Sequence, residues 1–203
     1  MPRTKEQFEE MRIATREKIK TSATQLFAQR GFAATNVQEI ADLSGISIGL
    51  LYKYYKTKDE LFSELVGNAL EGIENLIDYF SDFLEPQKTF MDFINLIYKD
   101  MIKDDEFSNL LILMTQAVFA NNTIVMQDEI TELDVRVLTA MSNLIRKGQE
   151  CGDFREGDPY AMATQFFATI QGLAIMKITM HDKFCMPSPS IMQTMLIKEK
   201  ENV

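Results

Sequence analysis

The chain has 203 residues, 46% of them hydrophobic, and a formal net charge of -9. That apolar content excludes a chain kept unfolded by its polarity, and the length suits a small domain fused to a larger one. Two cysteines (Cys151 and Cys185) are too few for a disulfide framework, and with one histidine (His181) no histidine-based zinc site and no obvious Ser/His/Asp relay can be assembled.

Taken in order, the chain reads as helix after helix. The opening MPRTKEQFEEMR lacks the apolar stretch of a secretory signal. Ile19, Ala23, Leu26 and Phe27 recur at helical spacing and predict a first helix from about Met11 to Arg30, stopped by Gly31. Thr35, with Gln38 three residues on, opens a short second helix lined inside by Val37, Ile40 and Ala41. Ser47 caps a third, with Ile46 and Leu51 at staple positions, ending near Tyr55. Two short helices across Ser44-Gly45-Ile46 make a helix-turn-helix. Thr57 caps a fourth helix that starts at Lys58 and passes Phe80. Others are expected from Pro86 and over 105–120, 124–150, 159–181 and 189–200, with Pro159 and Pro189 in first turns. Segments 108–127 and 159–176 are uncharged but broken by amides, so they read as buried helices rather than membrane spans, and a cytoplasmic location is expected. No alternating strand of useful length is visible. The fold class is therefore all-α.

Charge is unevenly spread. Residues 1–58 hold 10 Lys and Arg against 6 Asp and Glu, while the remainder hold 11 against 24. The front can face a polyanion that the rest would repel. Within it, Tyr52 to Lys58 gathers three tyrosines and three lysines. On a helical wheel Leu51 and Tyr55 point inward, Gly49 and Lys53 outward, and Leu50 and Tyr52 flank the outer face. Tyr54 is intermediate and Ile48 ambiguous. An outward glycine permits close approach, and the major groove of B-DNA admits a helix of this width. Ser47 and Thr35 add hydroxyls, the tyrosines can bond phosphate, and Lys53, Lys56 and Lys58 add charge.

The segment RGFAATNVQEIADLSGISIGLLYKYYKTKDELF (30–62) resembles the DNA-binding region of TetR-family transcriptional regulators. The resemblance rests on Gly31-Phe32, Thr35, Ile40-Ala41, Ser44-Gly45-Ile46-Ser47, Gly49, Leu51-Tyr52, Tyr54-Tyr55, Lys58 and Leu61. It implies phosphate contacts from Thr35, Tyr52, Tyr54 and Lys58, and an approach to bases by Ser47, Ile48, Gly49, Leu50 and Lys53. Position 48 is often Lys or Arg in the family and position 50 often Thr. Ile48 and Leu50 can instead pack on thymine methyls, shifting readout toward A·T-rich sequence and DNA shape. Tyr55 stands where the family usually buries Phe, so its hydroxyl needs a partner.

The resemblance further implies residues 1–57 as a three-helix DNA-binding domain and 58–203 as a larger helical effector-binding and dimerisation domain. The partners expected are double-stranded DNA, a small-molecule effector and a second copy of the chain, with neither membrane nor cofactor. The dimer surface is expected on 159–181 and 189–200, through Tyr160, Phe166, Phe167, Ile170, Leu173, Ile191, Met195 and Leu196. Thirteen methionines and fourteen phenylalanines suit an adaptable apolar pocket. Its candidates are Phe90, Phe93, Ile97, Met101, Phe107, Met114, Phe119, Met141, Phe167, Gln171 and Met176, with Gln116, Asn121 and Asn122 as further polar anchors. A ligand-responsive repressor is the leading expectation, and an architectural DNA binder without effector is the alternative. An enzyme is not expected, because no acid-base or nucleophile constellation stands out.

Overall fold

The computed structural model describes residues 4–81, 84–119 and 127–198. The helices are α1 (Lys5–Arg30), α2 (Val37–Leu43), α3 (Ile48–Tyr54), α4 (Lys58–Phe80), α5 (Pro86–Lys103), α6 (Glu106–Phe119), α7 (Gln127–Glu150), α8 (Pro159–Met180) and the single turn α9 (Pro189–Met192). Among the described residues there is no strand, and no helix is long and apolar enough to cross a membrane. Asn121 and Asn122 lie outside the described residues.

Helix α1 starts six residues before the expected Met11. Thr4 and Gln7 form a capping box, each side chain bonding the other's backbone N–H. Local capping thus holds a first stretch whose Phe8, Met11 and Ile13 remain exposed. Gly31 ends the helix at φ +85°, a conformation that favours glycine.

Two apolar clusters organise the molecule. The front one unites Ile19, Ala23 and Phe27 of α1, Ile40 and Ala41 of α2, and Leu51 and Tyr55. It does not close at residue 57. Leu61, Phe62, Leu65 and Val66 of α4 complete it, together with Leu113 and Ala117 of α6. Each fully buried large apolar side chain contributes about 2 kcal/mol by its removal from water. The second cluster fills the larger domain with α5, α7 and α8 residues, plus Phe80, Phe154, Met192 and Leu196.

The expected helix over 189–200 breaks off within its described part, 189–198. After α9, residues 193–195 make a tight 3₁₀ turn, and the backbone then extends. Ile197 pairs with Phe154 in an isolated antiparallel bridge, with Arg155 N–H donating to Leu196 O and Lys198 N–H to Asp153 O. Burial of Met192 and Leu196 in the larger core fixes this path, which a continuous helix could not follow while making those backbone bonds.

The expected dimer surface changes accordingly. Phe166, Ile170, Leu173 and Leu196 lie in the chain's own core, leaving Tyr160 and Ile191 exposed. Helix α8 also exposes Ile175, Met176 and Met180.

Candidate nucleic-acid interface

The turn between α2 and α3 follows from its sequence. Gly45 adopts φ +68° just past α2. Its N–H donates to Asp42 O at 3.1 Å, and the next N–H, of Ile46, reaches back to Ala41 O at 3.0 Å. This is the paired closure of a Schellman motif, and both Ile46 and Ala41 belong to the front cluster. Ser44 Oγ adds a bond to Ile40 O at 2.6 Å. Ser47 then caps α3 by accepting from Leu50 N–H at 3.2 Å. These bonds hold the reversal between the two helices and with it the side of α3 that faces out.

That side is the one the wheel selects. Leu51 and Tyr55 are buried, whereas Ser47, Gly49, Tyr52 and Lys53 are exposed and Leu50 is half-buried. A Cβ added at Gly49 would meet nothing within 4 Å. The glycine therefore faces open space, where another macromolecule can come close. Tyr54 is half-buried against the front cluster. Ile48 packs there too, so it is not a free outward side chain.

Two expected phosphate contacts are used internally. Thr35 is 1% exposed. Its hydroxyl donates to Gly31 O at 2.9 Å, with Leu26 O at 3.3 Å. Nor does Thr35 cap α2. Asn36 does so, accepting from Glu39 N–H at 2.9 Å while Glu39 accepts from Asn36 N–H. Lys58 Nζ donates to Phe32 O and Thr35 O, both at 2.7 Å. These two side chains shape the α1–α2 connection, and the hydroxyl of Thr35 is not offered outward.

Tyr55 finds its partner in Arg16, whose Nε donates to the phenol oxygen at 3.2 Å and to Glu64 Oε1 at the same distance. Arg16 also pairs with Glu64 at 2.5 Å. Burial pushes the Tyr55 phenol above its ordinary pKa, partly opposed by the hydrogen bond from Arg16. Glu64 and Tyr55 in turn raise that of the guanidinium. The network ties α1, α3 and α4 together beneath the exposed face. Arg16 was not among the sequence candidates, and only the need of a buried tyrosine for a partner pointed toward it.

The expected pocket residues differ in burial and in the cluster they join. Phe90, Phe93, Ile97, Met101 and Met141 are packed in the larger core. Phe107 and Phe167 lie half-buried against it, and Met114 packs against the front cluster instead. Phe119 is 79% exposed and Met176 46%, each on the outer side of its helix. Gln171 is exposed and bonds Thr115 Oγ1, while Gln116 Nε2 donates to Ala28 O at 3.0 Å. Of the expected set, only Phe107 lines either of two grooves on the surface, one between α4 and α7 and one where α1 meets the α5–α6 corner.

A capped helix-turn-helix that presents an open glycine, a tyrosine and a lysine from a rigid front cluster defines a DNA-binding protein of the helix-turn-helix class. Residues 19–65 match the family model "Bacterial regulatory proteins, tetR family". The chain is 27% identical over 178 residues to the HTH-type transcriptional regulator TtgR of Pseudomonas putida, covering 84% of this chain and 81% of that one. Among solved structures, the MbdR regulator from Azoarcus sp. CIB superposes with a TM-score of 0.69 at 22% identity, covering 89% of this chain and 94% of the other. SmeT in complex with triclosan superposes at 0.57, with 22% identity, covering 92% of this chain and 93% of the other. The chain belongs to the TetR family of transcriptional regulators.

Proposed function

We propose that this regulator is a repressor that binds a palindromic operator as a homodimer and is released by a small, largely apolar effector. The observation that carries the DNA part is the outward edge of α3, where Gly49 stands clear of the protein beside Tyr52 and Lys53. Tyr52, Tyr54 and Lys53 would hold backbone and groove, with Leu50 against base methyls. Two such helices must reach successive major grooves, which calls for a dimer. Helix α8 suits that role: it carries no charged side chain from Pro159 to Met176 and exposes Tyr160, Ile175 and Met176. The compartment would be the cytoplasm, where the DNA is.

For the effector, SmeT, a protein of the same fold, forms a complex with triclosan, which supports a small, largely apolar ligand for this chain. The proposed contact is the ring cluster of Phe80, Phe93, Phe166 and Phe167, whose neighbouring rings have centroids 4.8–6.5 Å apart. A ligand enters by displacing these rings, and methionines around them adapt. Movement would pass along α4, where Val66 and Leu70 join the front cluster. The tight packing of Phe90, Ile97 and Met141 favours the second reading, an architectural DNA binder without effector.

Selection of bound fragments from random-sequence DNA, repeated with apolar compounds, separates the two. An enriched inverted repeat lost on adding a compound supports the first. Enrichment indifferent to every compound supports the second, and no enrichment at modest salt overturns both.

A further inference from the structure

Helix α3 turns its outer edge to open space, and little of it is anchored. Of its seven residues only Leu51 is buried, with Ile48 and Tyr54 partly so. A helix this short does not set its own orientation and takes it from what holds its ends. The N-terminal end is held by the Gly45–Ile46 closure and the Ser47 cap. The C-terminal end is held by Tyr55, whose N–H donates to Leu51 O at 3.0 Å and whose ring is buried in the front cluster.

A phenylalanine, usual at this position in the family, would hold that end by packing alone. The phenol adds a directed bond, accepted from Arg16 Nε at 3.2 Å. The same guanidinium grips Glu64 with two bonds, Nε to Oε1 at 3.2 Å and Nη2 to Oε2 at 2.5 Å, and its Cζ lies 5.5 Å from the centroid of the Tyr55 ring. The Arg16 and Glu64 side chains remain 49% and 24% exposed. Ion pairs so open to water add little to stability. What a planar, forked guanidinium does add is direction. Here it joins α1, α4 and the end of α3 at one point, although Tyr55 and Glu64 lie 39 and 48 residues away along the chain.

We propose that Arg16 is a positioning residue for DNA recognition: acting through Tyr55, it braces the C-terminal end of α3 against Glu64 and so holds the tilt at which Leu50 and Lys53 meet a groove. Arg16 itself touches no DNA. The inference rests on the reading of α3 as the helix that enters the major groove. Loss of the brace lets α3 swing about Leu51. That costs contacts with base edges more than contacts with phosphates, because reading a base edge needs a fixed approach. Specific binding therefore suffers while non-specific binding is kept.

The test measures the affinity of the full chain for the duplex that native protein enriches from random-sequence DNA, and for a scrambled duplex of equal length. Arg16→Met keeps the stem and removes the fork. It should bind the enriched duplex about tenfold more weakly, with less than about a twofold change on the scrambled one and an unchanged salt slope. Tyr55→Phe should give a loss of similar size, and the double variant no further loss, since both changes break the same link. Should Arg16→Met fail to fold, Arg16→Lys serves: it keeps the charge without the fork and should show the same loss. A purely structural role would lower both affinities alike, by depleting folded protein, and that result sinks the inference. So do losses that multiply in the double variant, affinities that do not change, and a salt slope lowered by about one unit, which would make Arg16 a phosphate contact. Native protein that enriches no duplex removes the DNA reading and this inference with it, so the native protein alone tells the two failures apart.

Discussion

Lys58 Nζ lies 4.4 Å from the centroid of the Phe32 ring while donating to the Phe32 and Thr35 carbonyls. The first side chain of α4 is therefore a strut beneath the α1–α2 connection. Lys58→Ala should cost about 1–2 kcal/mol of stability, the worth of charged hydrogen bonds at a half-buried position. It should weaken binding to all DNA sequences alike, yet leave the salt dependence of binding unchanged. A salt slope lowered by about one unit would instead mean a direct phosphate contact. Thermal melts and binding at several salt concentrations read both quantities.

Lys53 and Leu50 should behave differently from Lys58 and from each other. Lys53→Ala should lower the salt slope by about one unit with little change in the melting temperature. Leu50→Ala should alter preference at a single base step by about 1 kcal/mol and leave the other positions as they were. Competition binding with single-step operator variants checks this, and unchanged preference after Leu50→Ala would falsify the placement of Leu50 in the groove.

Tyr55→Phe removes the acceptor for Arg16 without emptying the core. A loss of about 1 kcal/mol is expected, because Arg16 keeps Glu64. The pH dependence follows from the raised phenol: folding favours its neutral form. That stability is fully present below the ordinary tyrosine pKa and is lost as pH rises through the higher folded value. Alkaline unfolding of the native protein should therefore have a component that Tyr55→Phe lacks.

Much of this was legible beforehand, and the failures have physical causes. Leu51 and Tyr55 turned inward because helical period alone settles azimuth. Thr35, with Gln38 three residues on, is the expected cap of α2, yet Asn36 with Glu39 has the same spacing and takes the position. Burial of Thr35 against Gly31 and Leu26 decides the register, and that is tertiary information. The same holds for Lys58, whose carbonyl partners lie 23 and 26 residues away. Composition could not say whether phenylalanines and methionines enclose space or fill it. Phe90 and Met141 fill it, while Phe119 does neither.

Gly148 is held by contact rather than by conformation. A Cβ there would sit 2.3 Å from Phe154 Cδ2. Gly148→Ala should destabilise by about 1–3 kcal/mol through overpacking. Phe154→Ala should cost about 3–5 kcal/mol through the cavity it leaves. The double variant should lose less than the two single losses added together, since each change relieves the other. Denaturant unfolding of all three gives the answer.

Acid should weaken the α5–α6 corner. The N–H of Glu106 and the ammonium of Lys103 hold the Asp104 carboxyl below its usual range. The stability it adds is present above the ordinary carboxylate pKa and disappears as pH falls through the lowered one. Asp104→Asn should therefore be less stable than the native protein near neutrality by about 0.5 kcal/mol, and the gap should close in acid.

Met192 and Leu196 reach back into a core that Phe80 and Phe90 begin to build more than a hundred residues earlier. During synthesis, that core must wait for them to emerge from the ribosome. Among the described residues, the front cluster needs nothing beyond Ile130 and can close sooner. The nascent chain would then have its DNA-reading end assembled while the larger half is still unfinished.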